Sequence, residues 1–238
     1  MKRLGIIGGL GPMATAYFLR MIVEMTDAKT DQEHIEVLLH SKPQIPDRTR
    51  YILGLSEDSP MPHFQEVGKQ LVGQGADVIV IPCITAHFFQ EQLEHDIACP
   101  IIHAIEETAK YLQAENIRQV GIMATDGTIE SRLFPQILEK YGITCIVPEA
   151  DGQKKVMHII YNNVKQGLPI EMNQFEAVSK ELFDKGAQVI LLGCTELSMA
   201  KRDHVLGAGY LDVMEVLARQ AVLTCGNLKP EYEHLITK

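Results

Sequence analysis

LVGQGADVIVIPCITA (Leu71–Ala86) and LFDKGAQVILLGCTEL (Leu182–Leu197) align without a gap. Leu71/Leu182, Gly75/Gly186, Ala76/Ala187, Val78/Val189, Ile79/Ile190 and Cys83/Cys194 are identical pairs, all 111 residues apart, as 83 is from 194. Each segment reads as the end of a helix, a glycine turn, a short apolar run and then a cysteine. Such a run, bounded by turn residues, is the pattern of a strand buried on both faces in a parallel sheet. A second pair of stretches lies near the start of each half. LGIIGGLGPMAT (Leu4–Thr15) resembles VGIMATDGTIES (Val120–Ser131), with Gly5 over Gly121 and Gly11 over Gly127, here 116 residues apart. A loop insertion between the two registers accounts for the difference. The chain therefore reads as two copies of one α/β unit.

Working outward, short apolar runs alternate with amphipathic stretches throughout, as in α/β units. Strands are expected at Leu4–Ile7, His34–His40, Asp77–Pro82, Pro100–His103, Gln119–Met123, Ile143–Val147 and Val189–Gly193. Pro12 suits a first helical position, and helices are expected at Ala14–Met25, Phe64–Gln74, Thr85–His95, Ile105–Ala114, Ile129–Lys140, Lys154–Gln166, Gln174–Lys185 and Leu211–Thr224. Ser41–Pro62, with four prolines, reads as a long loop with one turn of helix at most, and long loops in compact domains tend to be functional. The expected architecture is two parallel-sheet α/β domains, one from each copy. Their expected extents are residues 1–103 completed by the C-terminal 210–238, and 104–209.

Composition narrows the function. Hydrophobic residues make up 46% of 238 and charged residues 22%, which excludes disordered and disulfide-scaffold classes. The net charge of −9 offers no basic stripe for nucleic acid or anionic membrane. The cysteines, Cys83, Cys99, Cys145, Cys194 and Cys225, are scattered and form no zinc-ligand spacing, and no apolar stretch is long enough to span a bilayer. The expectation is a cytoplasmic protein with reduced thiols and no metal.

Cys83 and Cys194 each stand just past a buried strand, where open parallel sheets bind ligands. Packed with two-fold symmetry, the halves would turn both thiols into one cleft. A helix start beside each sulfur would lower its pKa, and His87, four residues beyond Cys83, would share its helix face. A lone cysteine in this position is more often core, and that reading stands for Cys99, Cys145 and Cys225. A matched pair favours chemistry: two acid/base groups on opposite sides of a small cleft suit inversion of a carbon bearing an acidic C–H.

GGLGPMAT (Gly8–Thr15), SKPQIPDRT (Ser41–Thr49), PCITAH (Pro82–His87), GIMATDGT (Gly121–Thr128) and GCTEL (Gly193–Leu197) together resemble the aspartate/glutamate racemase family, with the cofactor-independent aspartate racemase branch closest. The likeness runs from about residue 4 to residue 223. It implies an α/β fold of two Rossmann-like parallel-sheet domains related by pseudo-two-fold symmetry, with the active site in the cleft between them. It implies too a homodimer with no cofactor that inverts the α-carbon of aspartate or a related amino acid, with Cys83 and Cys194 as opposed acid/base residues. It further implies Arg48 as the cation for a side-chain carboxylate, bidentate guanidinium geometry suiting that task, and Lys165 as a second cation. Thr85, Thr125 and Thr128 would hold the α-carboxylate; threonines at such places otherwise serve as helix N-caps. Ile84 replaces the family's asparagine in the substrate-binding set. The family's polar run near the C-terminus is replaced by Asp212-Val213-Met214, with Ala218 and Arg219 further on. Both departures open the pocket to a hydrophobic or larger amino acid.

Three other readings compete. Gly9-Leu10-Gly11-Pro12-Met13-Ala14 satisfies G-x-G-x-x-A of dinucleotide-binding oxidoreductases. However, Pro12 removes a helix-start donor, and the second strand ends in His40-Ser41-Lys42 without an acid for a ribose. A decarboxylase or isomerase of the same fold would use one cysteine. A non-catalytic binder of acidic metabolites would need neither.

Overall fold

The computed structural model describes residues 2–238; Met1 lies outside the described residues. The chain runs β1 (Leu4–Gly8), α1 (Pro12–Met25), β2 (Val37–Ser41), α2 (Arg48–Ile52), α3 (Met61–Gly73), β3 (Val78–Val80), α4 (Gln90–Ile97) and α5 (Ala104–Ala114). It continues through β4 (Gln119–Met123), α6 (Asp126–Glu130), α7 (Leu133–Leu138), β5 (Thr144–Ile146), α8 (Ala150–His158), α9 (Met172–Asp184), β6 (Val189–Leu192), α10 (Ser198–Asp203), β7 (Tyr210–Asp212) and α11 (Val213–Cys225).

Two all-parallel sheets form, ordered β2-β1-β3 and β5-β4-β6-β7. The first gains a fourth member where Ile101 bridges Ile79 in parallel, so both halves share one strand order. The matching holds atom by atom. Ile79 N–H donates to Pro100 O, as Ile190 N–H donates to Gly209 O, which equates Ile101 with Tyr210 and His103 with Asp212.

The repeated glycines explain why the sequence echo survives. Gly75 and Gly186 both turn from helix to strand at φ +97°, a conformation side chains resist. A Cβ at Gly5 would lie 3.0 Å from that of Ala76, and one at Gly121 would lie 3.0 Å from that of Leu182 and 3.3 Å from that of Ala187. Each first strand thus lies close against its half's helix-turn-strand unit.

The larger core spans both halves. α11 packs against α1 of the first half and against α5, while α5 packs against α7 of the second. Phe18, Ile22, Phe134 and Leu217 are all buried there. A smaller cluster, including Phe64 and Leu93, fills the other face of the first sheet. Among the described residues no helix is long and apolar enough to cross a membrane.

Several elements depart from the sequence expectation. Pro100–His103 makes only the Ile101 bridge before α5 begins at Ala104. Tyr210–Asp212 is a strand of the second sheet, so the 210–238 segment begins in the second half before α11 crosses to α1. The single helix expected over Ile129–Lys140 is two, broken at Arg132 with φ +54°. The segment after Cys83 starts as a 3-10 turn (Ile84–Phe89), and only then becomes α4.

Candidate active site

The β3 and β6 carboxyl ends deliver Cys83 and Cys194 to one small inner chamber between the halves. Thr85, Thr125, Arg48, Lys165, Glu196, Tyr161, Asp47, Thr49 and Leu10 complete its wall. Its volume is about 10 Å³, room for about one water. An outer chamber of about 420 Å³ adjoins it, and Leu10, Asp47, Arg48, Lys165 and Glu196 line both.

The long proline-bearing loop places Arg48 at the first turn of α2, where Asp47 caps the helix by accepting from Arg50 N–H at 2.9 Å. Arg48 is buried. Its Nη1 donates to Ile45 O (3.2 Å) and Pro46 O (3.0 Å), and its Nε–H has no partner among the described residues. The guanidinium lies beside Cys83; burial works against its charge, but Cys83 and Asp47 more than offset this.

Lys165 arrives by a different device. The helix expected over Lys154–Gln166 ends early as α8, passes through a π turn at Ile159–Asn163 and closes as a 3-10 turn at Val164–Gln166. Such π segments often accompany functional sites. This one projects Tyr161 and Lys165 into the cleft. Lys165 Nζ pairs with Glu196 at 2.9 Å and lies 5.3 Å from the Tyr161 ring centroid. Tyr161 Oη–H donates to Asp47 Oδ2 at 3.1 Å.

Glu196 is the central residue missed by the sequence argument, although GCTEL contains it. It is buried, yet Lys165 and the Cys194 hydrogen bond hold its carboxyl below the usual range despite the burial penalty. Cys194 Sγ–H donates to Glu196 Oε2 at 2.9 Å. Burial, then the Glu196 carboxylate, pushes the Cys194 thiol well up, with Lys165 opposing. The helix start expected to lower this thiol does not prevail, because α10 begins only at Ser198, beyond the carboxylate.

Thr85, Thr125 and Thr128 form a closed triangle of hydroxyls with O···O distances of 3.1, 3.0 and 3.1 Å. Each hydroxyl has one proton, so the triangle can occupy all three donors. Thr125 is also the N-cap of α6, accepting from Thr128 N–H at 3.3 Å. Thr85 and Thr125 face the inner chamber, with Thr128 behind them.

Two expected contributors lie elsewhere. Ile84 is buried in the larger apolar core and lines neither chamber, since the 3-10 turn rotates it away while Thr85 faces inward. His87 is also absent from both walls. It stacks on His103 with centroids 5.0 Å apart, and its Nδ1 meets Gln90 Oε1 at 2.6 Å. Burial and the neighbouring His103 drop its pKa to about 3. No group of three or more His, Cys, Asp or Glu suited to a metal occurs among the described residues.

The family described as Asp/Glu/Hydantoin racemase matches residues 7–221. The broad specificity amino-acid racemase RacX of Bacillus subtilis is 25% identical over 93% of this chain and 97% of its own length. Among solved structures, the Picrophilus torridus aspartate racemase superposes with a TM-score of 0.81 at 29% identity, covering 98% of each chain. A putative Asp/Glu racemase from Yersinia pestis gives 0.79 at 25% identity, over 94% of this chain and 99% of its own.

Proposed function

This chain belongs to the Asp/Glu/hydantoin racemase family, and on that premise we propose that it inverts the α-carbon of an amino acid with Cys83 and Cys194 acting from opposite faces. The observation that carries the reading is that both sulfurs line one chamber from opposite halves.

In one direction Cys83 Sγ, as thiolate, takes the α-hydrogen as a proton. The C–H bonding pair passes into the substrate's own carboxylate, and Arg48 and Lys165 stand beside the charge that develops there. Cys194 Sγ–H delivers its proton to the other face, re-forming the C–H bond and leaving a thiolate at Cys194. The reverse direction exchanges the roles. Glu196 supports the donor role of Cys194 by accepting its S–H. The inner chamber is too small for an amino acid as it stands. Binding therefore entails separation of the walls and opening of the threonine triangle, which frees a hydroxyl donor for the α-carboxylate.

Purified protein carrying Cys83→Ala or Cys194→Ala is expected to be folded by circular dichroism and unable to interconvert enantiomers on chiral chromatography. Parental racemisation by either variant would remove that cysteine from the mechanism.

A further inference from the structure

The outer chamber has a task that the inner chemistry leaves unassigned. If the α-carbon is to sit between two sulfurs in a space this tight, the substrate's side chain must leave through the shared wall. Beyond that wall lie about 420 Å³, within the usual range for a small-molecule site. Its lining is dominated by Leu10, Met13, Ala14, Ile45, Val164 and Met199.

The charges near it are confined to the shared wall and already opposed. Lys165 is paired with Glu196, and Arg48 stands beside Asp47 with its Nη1 on two backbone carbonyls. Two cations and two carboxylates leave no surplus positive charge for a second carboxylate, whereas the buried, unpartnered Arg48 Nε–H can serve one. That one is the α-carboxylate, which every amino acid carries. A side-chain carboxylate in the outer chamber would give up part of its hydration to apolar walls without a free counter-ion, while a methionine or leucine side chain would gain from burial there.

We propose that the outer chamber is the side-chain subsite and that it selects uncharged, apolar side chains of methionine or leucine size over aspartate and glutamate. This rests on the racemase reading above and specifies its substrate class.

The test is α-hydrogen exchange into D2O, followed by mass spectrometry, for L-methionine, L-leucine, L-alanine, L-aspartate and L-glutamate with the purified protein. Methionine and leucine are expected to exceed the dicarboxylates in kcat/KM by about tenfold or more, the scale on which a hydrophobic pocket discriminates. Alanine, which leaves the chamber unfilled, is expected to trail them. Val164→Lys, adding a cation to the apolar wall, is expected to shift the aspartate-to-methionine ratio toward aspartate. A smaller or reversed margin over the dicarboxylates, alanine equal to methionine, or a ratio unmoved by Val164→Lys would each overturn the selectivity while leaving racemisation intact. Exchange with none of the five would remove the racemase reading, and this inference with it.

Discussion

The two halves put the same atom in the same place and then surround it differently. Cys83 and Cys194 follow equivalent strands, and further equivalent positions are His87 and Ser198, then His103 and Asp212 at the N-caps of α5 and α11. In the first half the cap pair is two stacked imidazoles, with His87 lowered to about 3 and His103 to about 4, burial being the chief cause in each. In the second, Ser198 Oγ–H donates to Asp212 Oδ1 at 2.8 Å, and burial followed by Glu215 pushes Asp212 up to about 7. The contrast continues at the sulfurs: a guanidinium lies beside Cys83, while a carboxylate accepts the Cys194 proton. Duplication sets where the thiols stand, and the divergent neighbours give Cys194 a carboxylate acceptor and Cys83 a guanidinium.

The largest expected effect breaks the symmetry at the sulfurs themselves. Cys83→Ser and Cys194→Ser should each lower racemisation by about a hundredfold or more. Each should also retain slow α-hydrogen exchange of only one enantiomer, the opposite one in the two variants. Loss or retention of both enantiomers' exchange to the same extent in both variants would mean that the halves do not serve opposite faces.

Next comes Glu196→Gln. Removing the carboxylate takes away one cause of the raised Cys194 thiol and leaves Lys165 unopposed. The arm of the kcat/KM pH profile that reports Cys194 should move to lower pH, with a rate loss of about tenfold. An unmoved profile would detach Glu196 from Cys194.

The cap pairs give a smaller, structural contrast. Asp212 titrates higher folded than its ordinary carboxyl value, so its protonated form is favoured in the fold. The stability this favours is present at low pH and lost as pH rises through about 7. His87 and His103 titrate lower folded, so their contribution is intact above the ordinary histidine range and lost as pH falls below it. Asp212→Asn should remove a loss of stability between the ordinary carboxyl range and about pH 7, so that Tm climbs more steeply with pH over that interval than in the parent; identical slopes there would assign the loss to other groups. Smallest of all, Gly75→Ala and Gly186→Ala should cost similar amounts, about 1–2 kcal/mol each, in urea unfolding. A marked inequality would show that the two turns are no longer equivalent.

Much of this was legible in the chain. The 111-residue echo located both central strands, both glycine turns and both cysteines, because a buried parallel strand and a positive-φ turn tolerate few residue types. The strand Gln119–Met123 matches its expected bounds for the same reason. What could not be read was orientation. A short 3-10 turn after Cys83 decides that Thr85 faces the chamber while Ile84 faces the core and His87 packs away from the site. Periodicity assuming an α-helix gets that rotation wrong. The π turn that aims Tyr161 and Lys165 has no compositional signal either. Glu196 was visible as a letter of GCTEL, but its pairing with Lys165 and Cys194 depends on two segments that meet only in three dimensions.

The central claim is that two sulfurs address one carbon from opposite sides. It is tested most directly by running the reaction in D2O with an active amino acid and reading both enantiomers by chiral mass spectrometry at low conversion. Two opposed thiols predict product carrying α-deuterium while the remaining substrate is still protiated, since the group that takes the proton is not the group that gives the deuteron. Deuterium accumulating equally in substrate and product from the first time points would mean that a single group serves both faces.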